Sequence, residues 1–188
     1  MKSKLELIIG PMFSGKSTEL IRRIRLLQKI DKCVLVVKPI IDIRYNINTI
    51  TSHNFEQVEC ITLKNLRDLE DISKFNNIII DEGQFFDDLF EVVIYWLNNY
   101  NINIIIGGLD GDYKQDPIGD ILRLIPYADK CKKIASLCKL CNDGTKAIFS
   151  HRMTKNNEQV QIGGAESYVP LCRNHYTVMN ELYNNEKN

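Results

Sequence analysis

Four short apolar runs recur along the chain, "LELIIG" (5–10), "CVLVVK" (33–38), "NIIIDE" (77–82) and "INIIIGG" (102–108). Each is rich in β-branched residues and nearly continuous rather than alternating, the pattern of strands buried on both faces of a parallel sheet. Helical spacing fills the gaps between them. Residues 15–30, "GKSTELIRRIRLLQKI", set Leu20, Ile24, Leu27 and Ile30 on one side and most of the arginines on the other. Residues 86–99, "FDDLFEVVIYWLNN", predict a second helix with acidic residues in its first turn, where the helix dipole favours them. Strands alternating with helices predict a doubly wound α/β domain with a parallel sheet over residues 1–136. Beyond it the pattern changes. Residues 137–175 carry short polar segments and paired cysteines, which predict a small β-rich lobe, and 176–188 read as a polar tail that frays.

Composition narrows the classes. At 188 residues, the chain can bury one full core and still carry an appended lobe. Lys+Arg and Asp+Glu both number 24, so the basic excess of a duplex-binding protein is missing and nucleic acid is a disfavoured partner. No apolar run approaches the roughly 18 residues that span a bilayer, and the first glycine arrives too early for a signal peptide; no membrane role and a cytoplasmic location are expected. Six cysteines in such a chain are expected to be reduced thiols, with close-spaced sets binding metal.

The first run leads straight into "GPMFSGKS" (10–17), which matches G-x-x-x-x-G-K-[ST] between a predicted strand and a predicted helix. Over Gly10, Pro11, Met12, Phe13, Ser14 and Gly15 the backbone can turn its N–H groups toward an anion. Lys16 supplies a mobile charge for β- and γ-phosphates, and Ser17 a hydroxyl for Mg²⁺. The large domain is thus expected to be a P-loop (RecA-like) ATP-binding domain. "IIIDE" offers the acids such a site needs at a strand end: Asp81 for the metal and Glu82 for a substrate proton, or, in an ATPase, for positioning water. "KPIIDIRY" (38–45) follows the second predicted strand, so Asp42 and Arg44 either flank the phosphates or form a plain surface pair.

"CKLC" (138–141) and "CRNH" (172–175) supply three thiolates and an imidazole, Cys138, Cys141, Cys172 and His175. That set closes a tetrahedral Zn²⁺ shell with no open position, so the site is expected to be structural and to staple a lobe with few apolar residues. Cys33, Cys60 and Cys131 read as core thiols, and His53 and His151 as surface residues.

Taken in order, "GPMFSGKSTELIRR", "KPIIDIR", "IDEGQFF", "GLDGDY" and "IGGAESYVPLCRNH" resemble the zinc-containing type II thymidine kinases of animal cells, bacteria and poxviruses, over nearly the whole chain. The resemblance implies transfer of the ATP γ-phosphate to the 5′-hydroxyl of thymidine, with deoxyuridine a second substrate. It implies that Glu82 is the general base and that the P-loop residues 10–17, Asp42, Arg44, Asp81 and Gln84 serve ATP, its phosphates and magnesium. It makes "QIGGAESY" (161–168) a lasso loop that closes over the nucleoside, with Gln161, Ile162, Gly163 and Gly164 gripping the thymine edges largely through main-chain groups and Tyr168 lying over the pocket. Met12, Phe85, Leu109 and Tyr113 would line the base site. A homotetramer and feedback inhibition by thymidine triphosphate follow from the same resemblance. The chain departs from the family in carrying His175 where the fourth ligand is often cysteine, and Ile118 where an aromatic is common. The longer regulatory tail of the animal enzymes is not expected. Two other readings compete: a nucleic-acid-stimulated ATPase, suggested by a P-loop joined to a zinc lobe, and a non-catalytic nucleotide-binding regulator.

Overall fold

The computed structural model describes residues 3–30, 32–42, 48–52 and 56–185. The elements of the first half are β1 (Lys4–Ile9), α1 (Lys16–Gln28), β2 (Val34–Pro39), β3 (Thr49–Thr51), β4 (Gln57–Glu59), β5 (Ile61–Leu63), β6 (Asn77–Ile80) and α2 (Leu89–Asn99). After them come β7 (Asn103–Gly108), β8 (Lys130–Lys133), β9 (Ser136–Leu137), β10 (Lys146–Ala147), β11 (Phe149–Arg152), β12 (Tyr168–Leu171) and α3 (Arg173–Asn185).

Six strands form one sheet in the order β5-β2-β6-β7-β1-β8, and every neighbouring pair is parallel. The four apolar runs supply its centre, in the register Val37–Ile80–Ile106–Leu7. Because side chains alternate across a strand, the runs split by residue parity. Leu5, Leu7, Val37, Ile78, Ile80, Ile104 and Ile106 pack with Leu89, Val93 and Trp96 of α2 on one face. Ile8, Val36, Ile79 and Ile105 meet Leu20, Ile21 and Ile24 of α1 on the other. Both faces are covered, which is why the runs read as continuous. Each fully buried aliphatic side chain contributes about 1.5–3 kcal/mol, so these two layers hold the sheet rigid behind whatever its loops carry.

The antiparallel pairs β9–β10 and β11–β12 and helix α3 make the small lobe. Among the described residues its hydrophobic cluster buries Cys138, Ala147, Leu171 and Tyr176, with Phe149, Val169 and Met179 packed against it.

Several expectations need correcting. Helix α1 ends at Gln28, so Ile30 lies past it and is exposed, while Ile21 joins the buried face. Helix α2 starts at Leu89 rather than at residue 86, because residues 83–85 form a 3₁₀ turn and the Asp88 carboxylate is taken by the Leu66 and Arg67 amides. The stretch from Tyr176 is helix α3, anchored by the buried Tyr176 ring against Phe149, not a frayed tail. Cys33 and Cys131 are exposed and Cys60 is half-buried; Cys131 sits on β8, an edge strand whose four residues all face solvent. His151 is buried, since its position on β11 turns it toward Tyr176. His53 lies outside the described residues. Among the described residues no helix is long and apolar enough to cross a membrane.

Candidate active site and metal centre

The strands of the large sheet all point their C-terminal ends the same way, and the loops leaving them line a cavity of about 510 Å³. Residues 12–17 form its floor at the entry to α1. Gly15 adopts a left-handed conformation (φ 84°), which a side chain would resist, and this lets the loop turn into the helix. Lys16 folds back over the loop, its ammonium donating to the carbonyls of Gly10 (3.2 Å) and Pro11 (2.7 Å). The Met12 amide is tied across the molecule to Ser150 Oγ at 2.9 Å, which joins the loop to the small lobe.

Asp81 and Glu82 follow β6, which is separated from β1 by β7. Gly107 of β7 keeps the interval clear: a Cβ there would stand 2.7 Å from Leu20 and 3.5 Å from Asp81 Oδ1. Ser17 Oγ donates to Asp81 Oδ2 at 3.1 Å, so a hydroxyl and a buried carboxylate meet beside the loop, a donor pair of the hard-oxygen kind that suits Mg²⁺.

Glu82 is a non-glycine residue held at φ 51°. That conformation costs about 1–2 kcal/mol and persists only where surroundings enforce it. The Glu82 amide donates to Asp81 Oδ1 at 3.1 Å, and Gln84 holds the Glu82 carboxylate. The Gln84 Nε2 donates to Glu82 Oε2 at 2.7 Å, and its Oε1 accepts the Leu109 amide at 3.0 Å, which fixes the orientation of the amide. Gly108 makes room, since a Cβ on it would come within 2.4 Å of Gln84 Oε1.

The cavity roof comes from the loop between β11 and β12. Gln161, Ile162, Gly163, Gly164 and Tyr168 line it, with Phe85, Leu109, Tyr113 and Ile118 on the wall. Of the residues singled out in the sequence, Met12 through Ser17, Asp42, Asp81, Glu82, Phe85, Leu109, Tyr113, Gln161 through Gly164 and Tyr168 line this one cavity. Gly10 and Pro11, at the start of the loop, are not part of the cavity lining. Gln84, grouped with the phosphate residues on the resemblance, is instead buried beneath Glu82 and absent from the lining, because its amide is used by Glu82 and Leu109. Arg44 lies outside the described residues.

Thr18, Asp112, Ser150, Gln159 and Glu166 also line the cavity and escaped notice in the sequence. Arg152, buried under the roof, escaped it too. One signal was available: in "FSHR" strand alternation sets Ser150 and Arg152 on one face.

The second site lies in the small lobe. Cys138, Cys141 and Cys172 Sγ stand 3.5, 3.2 and 3.4 Å from His175 Nδ1, and Cys141 and Cys172 Sγ are 3.8 Å apart. The four donor atoms all lie within 4.8 Å of one another, so the cluster can hold a metal ion. Burial works against a thiolate at Cys138, but backbone amides of Cys172, Cys141 and Leu140 and the His175 ring outweigh it and bring its pKa down to about 6. Burial and the two neighbouring thiols push Cys141 up to about 11, a crowding of sulfur that a bound cation relieves.

The thymidine kinase family model matches residues 3–176. Similar curated proteins include the thymidine kinase of Sheeppox virus (strain KS-1), 43% identical over 173 residues that make up 92% of this chain and 96% of that protein. The thymidine kinase of Bacteroides thetaiotaomicron is 39% identical over 176 residues, 93% of this chain and 87% of that protein. The one from Oryza sativa subsp. japonica is 36% identical over 180 residues, 92% of this chain and 66% of that protein.

Proposed function

The chain belongs to the thymidine kinase family, and from that membership and the cavity's geometry we propose that it transfers the γ-phosphate of ATP to the 5′-hydroxyl of thymidine, giving thymidine monophosphate and ADP. The observation that carries the reading is the arrangement of one cavity: a phosphate loop on its floor, a glycine-containing loop on its roof, and Asp81 and Glu82 between them.

In this account residues 12–17 receive the β- and γ-phosphates of ATP, with backbone N–H groups and the start of α1 facing the anion. Lys16 exchanges its carbonyl partners for phosphate oxygens. Ser17 and Asp81 hold Mg²⁺, which neutralises charge on the transferred group. Glu82 accepts the 5′-hydroxyl proton as that oxygen bonds to the γ-phosphorus and the bond to the β-phosphate oxygen breaks. The thymine ring lies against Met12, Phe85, Leu109 and Tyr113, and residues 161–164 with Tyr168 close over it, as an apolar wall and an aromatic face suit a methylated pyrimidine. Asp42 and Arg44 serve the phosphates. Deoxyuridine is a second substrate.

We assign zinc to the Cys₃His cluster. Bonds of about 2.3 Å to sulfur and 2.0 Å to nitrogen in a tetrahedron would give S···S edges of about 3.8 Å and S···N edges of about 3.5 Å, and the Cys141–Cys172 distance of 3.8 Å and the Sγ···Nδ1 distances of 3.2–3.5 Å support such a shell. All four positions are filled by protein, so the ion is structural, holding the base of the roof loop. A cytoplasmic homotetramer subject to feedback by thymidine triphosphate completes the reading.

Calorimetry with thymidine, cytidine and single-stranded DNA, in the presence of a non-hydrolysable ATP analogue and Mg²⁺, tests it. Selective thymidine binding is expected. Binding of DNA without thymidine would replace the kinase with a nucleic-acid-stimulated ATPase.

A further inference from the structure

Arg152 ends β11 beneath the roof loop, and its side chain is almost wholly buried, with 3% of the residue exposed. A buried guanidinium ordinarily faces a carboxylate. Among the described residues none pairs with this one. Instead all five of its N–H donors meet neutral oxygens. Nη1 donates to the carbonyls of Asn156 (3.0 Å) and Glu158, and Nη2 to the carbonyl of Gln159 (3.0 Å) and the Tyr168 hydroxyl (2.7 Å). Nε reaches the same hydroxyl at 3.2 Å. The guanidinium also lies over the Tyr113 ring, 3.8 Å from its centroid, and 5.3 Å from that of Tyr168.

The connections run on from there. The Tyr168 hydroxyl, which accepts from Arg152, donates to the Gln161 carbonyl at 2.8 Å. The Tyr113 hydroxyl donates to the Asn157 carbonyl at 3.1 Å, and the Tyr113 carbonyl accepts the Tyr176 hydroxyl at 2.6 Å. One cation therefore gathers the carbonyls of residues 156, 158 and 159 directly and those of 157 and 161 through two tyrosines.

The direction of these bonds matters for the cavity. In a trans peptide the carbonyl and the following N–H point to opposite sides. Drawing the Gln161 carbonyl toward Tyr168 thus turns the Ile162 amide to the side away from the anchor. The anchor sets which main-chain groups residues 161–164 can offer a ligand.

We propose that Arg152 is the positioning residue of the nucleoside site: it fixes the roof loop in its binding shape before the nucleoside arrives, so that little ordering cost is charged to binding. This rests on the thymidine kinase reading and adds to it a residue that touches neither substrate. Charge alone does not suffice, because a lysine ammonium has three donors on one atom and cannot span carbonyls in the plane of a fork or stack on Tyr113.

The test compares wild type with Arg152→Lys, measuring the thymidine Kd, the Kd of a non-hydrolysable ATP analogue, KM and kcat for both substrates, and bound zinc. Arg152→Lys is expected to weaken thymidine at least about tenfold, the loss of one to two charge-assisted hydrogen bonds. ATP-analogue affinity should stay within about twofold and zinc should remain at wild-type stoichiometry. Thymidine affinity within about twofold of wild type in a folded, zinc-loaded variant would overturn the inference. If Arg152→Lys loses zinc or cooperative unfolding, Tyr168→Phe carries the test, since it keeps the ring and the arginine and removes only the shared hydroxyl. It should weaken thymidine at least about threefold with ATP unaffected, and unchanged thymidine affinity would again overturn the inference. Wild-type protein that neither binds nor phosphorylates thymidine would instead defeat the kinase reading itself.

Discussion

The Gln84 amide donates to the Glu82 carboxylate across 2.7 Å while accepting the Leu109 amide with its oxygen at 3.0 Å. Gln84→Leu removes that donor and leaves the Leu109 N–H without its side-chain acceptor. With Glu82 as the proposed general base, a kcat loss of about 10- to 100-fold is expected from a misaimed carboxylate. Steady-state kinetics of the variant check this, and an unchanged kcat would reduce Gln84 to packing.

Metal removal separates the two halves of the site. Cys138→Ser takes one proposed ligand from a lobe with a small hydrophobic cluster, so that lobe should lose cooperative structure and thymidine binding. ATP-analogue binding, which depends on the large sheet, should stay within about threefold. Metal analysis with calorimetry for both ligands reads the outcome; full activity in metal-free protein would show that the ion does not hold the roof loop.

Asp88 ties the turn at residues 66–68 to α2, accepting the Leu66 and Arg67 amides, each at 3.0 Å, and Arg67 Nε at 3.1 Å. Burial raises its pKa, but these donors outweigh burial and hold it below the ordinary 3.8. A depressed carboxyl stabilises the fold above its unfolded pKa, and that contribution is lost as pH falls through the folded pKa. Asp88→Ala should cost about 1–3 kcal/mol at neutral pH by urea denaturation, and the gap from wild type should narrow below pH 3.8.

His151 behaves with the same sign for a different reason. Burial pushes its imidazole below 6.5, partly offset by Asn180, and its Nδ1 has no hydrogen-bond partner among the described residues. The folded protein therefore favours the neutral ring, and stability should fall as pH drops from 6.5 toward the folded pKa. Thermal unfolding between pH 7.5 and 5 should show a drop that His151→Leu reduces; equal slopes would remove His151 as the cause.

The parallel sheet and its two covered faces were legible in the sequence because runs such as 78–80 and 104–106 are apolar at every position, a pattern few other structures need. The phosphate loop was legible for a related reason: glycine, lysine and serine at fixed spacing leave little choice of conformation. What escaped depends on tertiary partners. Edge strand β8, "KCKK", has no apolar face to announce it and is held by pairing with β1 and by ion pairs of Lys130 with Glu6 and Lys133 with Asp110. The buried face of α3 was hidden in a polar stretch because Tyr176 and Met179 need only a small lobe to pack on. The true place of Gln84 and the role of Arg152 were invisible because each is defined by carbonyls, amides and carboxylates remote in sequence. A charged side chain buried among neutral oxygens looks, in sequence, like any surface arginine.

If Glu82 serves phosphoryl transfer from ATP to thymidine as proposed, transfer of radiolabelled γ-phosphate to thymidine, with and without Mg²⁺, by wild type and Glu82→Gln will show it most directly. Labelled thymidine monophosphate is expected from wild type only with Mg²⁺, and at a rate lower by about 10²- to 10⁴-fold in Glu82→Gln. Wild-type protein that labels no pyrimidine deoxynucleoside, or a Glu82→Gln variant as fast as wild type, would contradict it.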